Sequence, residues 1–320
     1  MSFKVVQPGL LSLLQDLGRF GQHAIGLTTG GPLDKTAFLW ANRILHNVPN
    51  ACAIEVSFGG LQLQAQTNSY LCVTGANLDL TINGVTQALW TSHKVVSGDD
   101  IKLGYSSQGC RTYLAVAGGF QIMPSFGSSA TVMREKIGGL KGAKLAADDS
   151  LACNPTTYLA RQALSEADWP LYGPQGTSGN DSDIILRLVP GYQHQQFDKP
   201  TRTRFFHGQY SVTDRSDRMG MRLKGPAVPC SSSQMLSEGI CLGAVQVPAD
   251  GQPIVLLNDR QTIGGYPKIG AVMASDTARL AQLRPGDTVV FEAVDLYQAQ
   301  TFNTLAQIKF KATQLLHLED

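Results

Sequence analysis

Turn-forming residues interrupt this chain about every ten residues, and short runs of alternating apolar and polar residues lie between the turns. Residues 61–65 alternate Leu or Ala with Gln, and residues 78–82 alternate Leu or Ile with polar side chains. The dipeptide that follows, Asn83-Gly84, favours a type I′ hairpin because both central residues of that turn need a positive φ. Many short strands at this spacing favour barrels or sandwiches over parallel βαβ units. The sequence therefore predicts a mainly β fold.

A few helices interrupt this β pattern. Asp34 is placed to cap a helix over residues 35–46, in which apolar residues recur at three- and four-residue spacing. Asp276 is placed to cap a short helix that ends before Pro285. The tail, residues 296–316, carries one apolar stripe, and we expect this helix to pack on the surface of the β structure.

The two halves of the chain share a local pattern. Residues 96–103 and residues 284–291 both enter an alternating strand from a Gly-Asp turn. Proline and glycine residues break regular structure between the halves. We therefore predict an N-terminal β domain over residues 1–152, a linker over 153–182, and a C-terminal β domain over 183–320 that ends in the helix.

The composition excludes several classes of protein. Lys and Arg total 26 and Asp and Glu total 25, so the net charge of +1 creates no global field for nucleic acid or an anionic membrane. Hydrophobic residues make up 43% of the chain, which excludes disorder, yet no apolar run reaches the ~18 residues of a transmembrane helix. The six cysteines lack C-x-x-C spacing, and the six histidines lack metal-ligand spacing. We therefore expect a cytoplasmic protein with reduced thiols and no metal site.

The sequence contains no P-loop, no H-E-x-x-H and no G-x-S-x-G, so candidate chemistry must come from local clusters. In the first cluster, Gly30 and Gly31 precede a helix start, and their backbone N–H groups could hold an anion. An ordinary loop with Asp34 as N-cap is the favoured alternative. The second cluster is Glu55, a carboxylate inside an apolar, strand-like run. If it faces the core it needs a partner, and a solvent-facing position is an equal alternative.

Two further clusters lie in the second half. Between residues 199 and 224, seven Lys or Arg residues outnumber two Asp residues, and arginine forks suit phosphate or carboxylate. A solvated basic face is the favoured alternative for this run. Residues 259–268 combine polar side chains with two glycines directly after an apolar strand. Because a plain loop rarely concentrates so many hydrogen-bonding groups at a strand end, this fourth cluster indicates a site.

Several stretches of the chain together match the pattern of one family. They are Gln15-Asp16-Leu17-Gly18-Arg19, residues 111–119, Asp217-Arg218-Met219-Gly220, residues 245–248, residues 251–256 and Gln261-Thr262-Ile263-Gly264-Gly265-Tyr266-Pro267. On these stretches the chain resembles the family of 5-oxoprolinase C-type subunits, also described as allophanate hydrolase subunit 2, biotin-dependent carboxyltransferase or KipA-like. Two positions depart from the family pattern, because Ile263 stands where the family has a second Thr and Met221 where it has a Tyr.

The resemblance implies a fold, an activity and partners. The expected fold is two cyclophilin-like β-barrel domains in tandem. The expected activity is that of one subunit of an ATP-dependent enzyme, with Mg²⁺ accompanying the nucleotide, that opens 5-oxo-L-proline to L-glutamate. The expected partners are the B-type (KipI-like) and A-type subunits of that enzyme, and we expect the isolated chain to be inactive. Related domains in urea carboxylase transfer a carboxyl group from carboxybiotin to urea, so a carboxyltransferase component is one alternative. A non-catalytic regulatory subunit that binds a KipI-like protein is another.

The clusters and the resemblance together give a set of candidate site residues. Arg218 and Arg222 are the candidates for binding an anion, and Arg218 is also a candidate catalytic residue. Glu55 or Asp34 is the candidate acid or base. The remaining candidates would bind substrate or nucleotide, and they are Gly30, Gly31, Gln261, Thr262, Gly264, Gly265 and Tyr266.

Overall fold

The computed structural model describes residues 1–156, 158–170, 184–230 and 235–319. The chain divides into two compact units. The first unit comprises Met1–Gln22, Thr29–Pro170 and Thr313–Asp320, and the second comprises His23–Thr28 and Leu171–Ala312. Because residues 171–183 of the predicted linker region lie outside the described residues, the domain limits predicted from the sequence stay predictions.

The first unit is built largely from strands with one long helix. Its strands are β1 Ser2–Pro8, β2 Leu11–Gln15, β3 Ala53–Ser57, β4 Leu61–Ala65, β5 Ser69–Asn77, β6 Leu80–Ile82, β7 Val85–Gln87, β8 Ser92–Val95, β9 Asp100–Leu103, β10 Gln108–Val116, β11 Ser150–Ala152 and β12 Gln162–Ala163. Its α-helix is α1, Lys35–Ile44, and it has a short 3₁₀ turn at Glu166–Asp168. A further 3₁₀ turn, His23–Ile25, belongs to the second unit. The described strands form one sheet in the order β11-β1-β4-β9-β6-β7 and another in the order β2-β3-β10-β5-β8.

Local patterns account for much of this unit. In β4, Leu61 and Leu63 are fully buried while Gln64 is exposed, as the alternation predicts. Asn83 and Gly84 have φ values of 51° and 78° and join β6 to β7, so the predicted hairpin is confirmed. The turn between β8 and β9 is also present, but the two strands enter different sheets instead of pairing with each other.

Helix α1 begins where its cap predicts. The Asp34 carboxylate accepts a hydrogen bond of 3.0 Å from the backbone N–H of Ala37. The helix buries Phe38 and Ile44 against the sheet that contains β5 and β10. It ends at Ile44, two residues before the predicted end.

The second unit is a closed barrel. Its strands are β13 Ile184–Pro190, β14 Gln209–Val212, β15 Gly220–Lys224, β16 Glu238–Gly239, β17 Ala244–Gln246, β18 Ile254–Leu256, β19 Ile263–Gly264, β20 Lys268–Val272 and β21 Thr288–Ala293. Its helices are α2 Lys199–His207, α3 Ala274–Leu280 and α4 Leu296–Ala312, with a 3₁₀ turn at Tyr192–Gln196. Among the described residues, the barrel closes in the order β13-β20-β17-β18-β15-β14-β21, and β16 pairs with β19 beside it. A last strand, β22 Leu316–His317, belongs to the first unit and pairs with β12 there.

Two helices of this unit differ from their predictions. Helix α3 begins at Ala274, and Asp276 does not cap it, because its buried carboxylate binds the backbone N–H and the guanidinium of Arg187 on β13. Helix α4 is present, but Leu296 and Leu305 are 58% and 56% exposed. It touches the barrel where the centroid of the Phe302 ring lies 4.5 Å from the Arg187 guanidinium carbon, and no residue of the helix is buried, so it lies on the surface of the barrel.

The predicted mainly β fold is therefore confirmed. In the part of the chain that the structure describes, no helix is long and apolar enough to cross a lipid bilayer.

Candidate functional site

A cavity of about 400 Å³ lies in the second unit, where β13 ends and β20 begins. This volume falls within the range of about 300–1,000 Å³ that is usual for small-molecule sites. The apolar and small lining residues are Val189, Pro190, Gly191, Gly239, Cys241, Ala244, Gly270 and Ala271. The polar lining residues are Tyr192, Gln193, Glu238 and Lys268. An apolar enclosure with a few convergent polar groups is the usual form of a binding site for a small molecule.

The polar residues form one connected cluster on the wall of the cavity. The carboxylate of Glu238 accepts from the Lys268 ammonium and from the Tyr192 hydroxyl. The side chain of Lys268 is 12% exposed and that of Glu238 is 31% exposed. Both ends of this ion pair therefore remain partly accessible, and the cluster presents a hydrogen-bond donor beside an acceptor.

Gln193 holds the carboxylate of Glu238 and the backbone of Lys268. Its amide Nε2 donates to Oε1 of Glu238 over 2.7 Å, and its Oε1 accepts from the backbone N–H of Lys268 over 2.8 Å. Gln193 is itself 1% exposed. One buried side chain therefore joins β16 to β20 beside the cavity, through the carboxylate of Glu238 and the backbone of Lys268.

The hydrogen bonds of this cluster determine the charges of Glu238 and Tyr192. Hydrogen bonds from Lys268 and then from Tyr192 hold the pKa of Glu238 below its usual range. The same bond to Glu238 raises the pKa of Tyr192. Near neutral pH, Glu238 is therefore a carboxylate and Tyr192 keeps its proton.

One part of the cavity wall, at Gly270 on β20, requires a glycine. A Cβ added at Gly270 would lie 2.4 Å from Cδ2 of Leu188 and 2.5 Å from the carbonyl oxygen of Val189. Any side chain at this position would displace β13 from β20. The sequence therefore leaves bare backbone at this part of the wall.

The predicted arginine segment and glycine-rich loop do meet in the second unit. Arg218 donates from Nε and Nη2 to the two carboxylate oxygens of Asp259, at 2.9 and 3.0 Å. Arg218 is 6% exposed, and Asp259 is the first residue of the predicted loop. The guanidinium fork that the sequence analysis assigned to an anionic ligand thus holds a carboxylate of the chain itself. Arg222 lies exposed on β15.

Of the loop over residues 259–268, Lys268 lines the cavity and the preceding residues run beside it. Gln261 donates to Oε1 of Gln246 over 3.3 Å. Gly264 pairs with the cavity residue Glu238, and a Cβ at Gly264 would lie 2.5 Å from Cδ1 of Ile240. The other predicted residues of this loop are partly buried or exposed, and they are Thr262, Gly265 and Tyr266. Their roles in binding stay predictions.

In the first unit, Glu55 belongs to a buried hydrogen-bond network. Its Oε2 accepts from the Tyr113 hydroxyl over 2.7 Å and from the backbone N–H of Leu33 over 2.8 Å. The same hydroxyl accepts from the backbone N–H of Asp34 over 2.8 Å. Glu55 is 1% exposed and Asp34 is fully buried, so Glu55 faces the core and has partners there. The network positions the start of α1, and an acid or base role for Glu55 or Asp34 stays a prediction.

The glycine pair before α1 also lies in a hydrogen-bonded loop. Gly31 donates its backbone N–H to Oε1 of Gln15 over 3.1 Å. The preceding Arg19 is fully buried, and it donates to the carbonyls of Ser125 and Ala130 at 2.9 and 3.0 Å. This geometry agrees with an ordinary loop at the position of Gly30 and Gly31, and anion binding there stays a prediction.

The four polar cavity residues were missed by sequence reasoning. Lys268 is the last residue of the loop that the sequence singles out, and Tyr192 follows the turn-forming pair Pro190-Gly191, so both had a weak signal. Glu238 had none, because only its pairing with Gly264 in two very short strands brings it to the cavity. Among the residues that the structure describes, no group of three His, Cys, Asp or Glu side chains could hold a metal ion.

Comparison with known proteins identifies related chains. Residues 25–293 match the family model described as "Carboxyltransferase domain, subdomain A and B". The chain is 36% identical over 287 residues to the C-type subunit of 5-oxoprolinase from Haemophilus influenzae, and the match covers 89% of each chain. It is 33% identical over 301 residues to the C-type subunit of 5-oxoprolinase from Escherichia coli, with 92% of each chain covered.

A solved structure shares the whole fold. The crystal structure of urea carboxylase from Kluyveromyces lactis matches with a TM-score of 0.89 and 26% identity. The match covers 100% of this chain but only 30% of that larger chain. This chain therefore corresponds to one part of that enzyme.

Proposed function

The chain belongs to the family of carboxyltransferase domains with subdomains A and B, and we propose that it is the C-type subunit of a 5-oxoprolinase. The observation that carries this proposal is the 36% identity to the Haemophilus influenzae protein over 89% of both chains. In this function the chain is part of a hydrolase that opens the cyclic amide of 5-oxo-L-proline to give L-glutamate.

The cavity supports an amide substrate. Its volume of about 400 Å³ accommodates a five-membered lactam, and its apolar walls suit the ring carbons. The Glu238–Lys268 pair offers the acceptor and donor that an amide group needs. The cavity therefore supplies shape and polarity of the right kind for such a substrate.

Two of the predicted anion ligands have partners within this chain. Arg218 is engaged by Asp259, and the N–H of Gly31 is engaged by Gln15. The proposal is that ATP, accompanied by Mg²⁺, is used by the assembled complex and is held mainly by one of the other proteins in it.

The proposal includes partners. The chain would act with a KipI-like B-type subunit and an A-type subunit in the cytoplasm, and it would be inactive alone. Both bacterial relatives are named as one lettered component of 5-oxoprolinase, and these names support an assembly of several different chains.

Co-expression with the two proposed partners tests this function. The purified complex should release glutamate from 5-oxo-L-proline only when ATP and Mg²⁺ are added, and each component alone should release none. Within the complex, Gln261→Ala should lower turnover if the glycine-rich loop serves the site. The control is Lys224→Ala, an exposed residue on β15. A complex that assembles but releases no glutamate under these conditions would contradict the proposal.

A second candidate function is the carboxyltransferase component of a urea- or allophanate-type enzyme that uses biotin. The specific observation in its favour is the full-length match to the Kluyveromyces lactis urea carboxylase structure. The same complex is therefore assayed in parallel with urea and allophanate, with a biotin carboxylase and biotin carrier added. Carboxylation of urea without turnover of 5-oxo-L-proline would favour this function. Stable assembly with a KipI-like protein and no turnover of any substrate would favour a regulatory role.

A further inference from the structure

The cavity wall presents an acceptor and a donor side by side. The Glu238 carboxylate and the Lys268 ammonium both line the cavity and contact each other. The backbone of Lys268 and the carboxylate of Glu238 are held by the same buried side chain, Gln193. The Glu238 carboxylate and the start of β20 are therefore held next to each other before any ligand binds.

The charge of the lining restricts what the cavity accepts. Glu238 and Lys268 are its charged lining residues in the described chain, so the wall is neutral overall. A polyphosphate would meet one ammonium and would be repelled by the adjacent carboxylate. A neutral group that carries a donor beside an acceptor can form a hydrogen bond to each of the two residues, and neither residue repels it.

An amide group has that form. Its N–H is a donor, its carbonyl oxygen is an acceptor, and the two are adjacent in a cyclic amide or in urea. Hydrogen bonds in which one partner is ionised are the stronger ones, so a carboxylate and an ammonium bind such a group well. Val189, Pro190 and Ala244 supply apolar surface for the rest of a small ligand.

We propose that this cavity binds the amide group of the substrate, with the N–H donating to Glu238 and the carbonyl oxygen accepting from Lys268. The inference rests on the proposed function and adds the residues that hold the substrate. The ammonium of Lys268 polarises the bound carbonyl, and Tyr192 holds the carboxylate of Glu238 in place.

Binding to the full chain tests the proposal independently of turnover. The ¹⁵N-labelled chain is titrated with 5-oxo-L-proline, 2-pyrrolidone, urea and cyclopentanecarboxylate, and the backbone signals of residues 238–241 and 268–271 are followed. Cyclopentanecarboxylate keeps a five-membered ring and the carboxylate but lacks the amide group, so it should shift none of these signals. The two lactams should shift them, and a shift with urea alone would assign the site to the acyclic amide.

Matched variants identify the two contacts. Lys268→Met keeps the length of the side chain but loses the donor, and we expect lactam affinity to fall about tenfold or more. Glu238→Gln should weaken binding by about fivefold or more, because the charge that assists the N–H bond is lost. Lys224→Met on β15 is the control and should bind as the wild type does. Ala271→Leu, which fills the cavity from β20 and leaves both charges intact, is the second test if a charge variant fails to fold.

The outcomes separate this proposal from the proposed function. Lactam binding that is unchanged in Lys268→Met and in Ala271→Leu, or that shifts no signal of these residues, would overturn the proposal. Turnover of 5-oxo-L-proline by a complex containing Lys268→Met, with the wild-type KM, would overturn it while the proposed function stands. Lactam binding at this cavity without turnover in the wild-type complex would instead refute the proposed function alone.

Discussion

The guanidinium group of Arg218 and the carboxylate of Asp259 form a buried two-point ion pair, with Nε–Oδ2 and Nη2–Oδ1 distances of 2.9 and 3.0 Å. The pair joins the segment before β15 to the glycine-rich loop after β18. The carboxylate of Asp259 occupies two donors of the fork, and the residue itself is only 6% exposed. In this geometry Arg218 stabilises the loop on which other candidate residues lie.

Arg218→Met should therefore destabilise the fold. The substitution leaves the buried Asp259 carboxylate without this partner, which typically costs about 3–5 kcal/mol. Urea unfolding of the full chain measures the loss. Arg222→Met, an exposed change on the same segment, should stay within about 0.5 kcal/mol of the wild type.

The double variant Arg218→Met with Asp259→Leu tests whether the unpaired Asp259 carboxylate causes the loss of stability. Removing both charges should recover part of the stability lost in the single variant, because no buried charge then remains unpaired. Equal stability of Arg218→Met and the wild type would show that the ion pair does not hold the loop.

The sequence predicts best those structural features that are determined by residues close together in the chain. The Asn83-Gly84 hairpin and the Asp34 cap are set within a few residues, and both were predicted. The role of Asp276 was predicted wrongly because its partner Arg187 lies 89 residues away on β13. A capping pattern cannot reveal that a tertiary partner competes for the same carboxylate.

The same argument applies to the candidate site. The family pattern pointed to the loop that contains Gln261 and Gly264, and this loop does run beside the cavity. Tyr192 and Glu238 are 46 residues apart, and Glu238 reaches Tyr192 from β16, which pairs with β19 beside the barrel. Sequence reasoning therefore located the neighbourhood of the cavity, whereas its polar residues required the long-range pairing of strands.

The buried Tyr113 should stabilise the first unit through its hydroxyl. Tyr113→Phe removes the donor to Glu55 and the acceptor for the N–H of Asp34, and we expect a loss of about 1–3 kcal/mol. Tyr105→Phe, at a tyrosine that is 63% exposed, is the matched control and should change little. A stable Tyr113→Phe variant would mean that other groups satisfy the network.

The same tyrosine predicts an alkaline limit to stability. Burial, followed by the nearby Glu55 charge, raises the pKa of Tyr113 well above its usual range. A group whose pKa is higher in the folded state contributes its full stability below its unfolded pKa of about 10 and loses it as the pH rises further. The free energy of unfolding of the wild type should therefore fall above about pH 10, and this fall should be smaller in Tyr113→Phe. An identical pH dependence in both proteins would contradict the assignment.

Asp16 should hold the loop that follows Phe120. Its carboxylate accepts from the Ser128 hydroxyl over 2.5 Å and from the backbone N–H of Ser129 over 2.7 Å. Asp16→Ala should therefore speed hydrogen exchange at residues 128–131 and destabilise the fold by about 1–3 kcal/mol. Asp79→Ala, at an exposed aspartate of the first unit, is the control and should change neither exchange at residues 128–131 nor stability appreciably. Unchanged exchange in Asp16→Ala would show that the neighbouring Arg19 is sufficient to hold the loop.

Glu238 predicts an acid limit to amide binding. Because its hydrogen bonds to Lys268 and Tyr192 lower its pKa, the carboxylate persists below the usual glutamate value of about 4.3. Binding of 2-pyrrolidone, which has no titrating group of its own, should therefore be constant from about pH 7 to about pH 5 and should weaken as the pH falls through the lowered pKa. In Glu238→Gln this acid loss should disappear, while circular dichroism confirms that both proteins remain folded over the range. Equal acid loss in the variant and the wild type would mean that the carboxylate does not contact the amide.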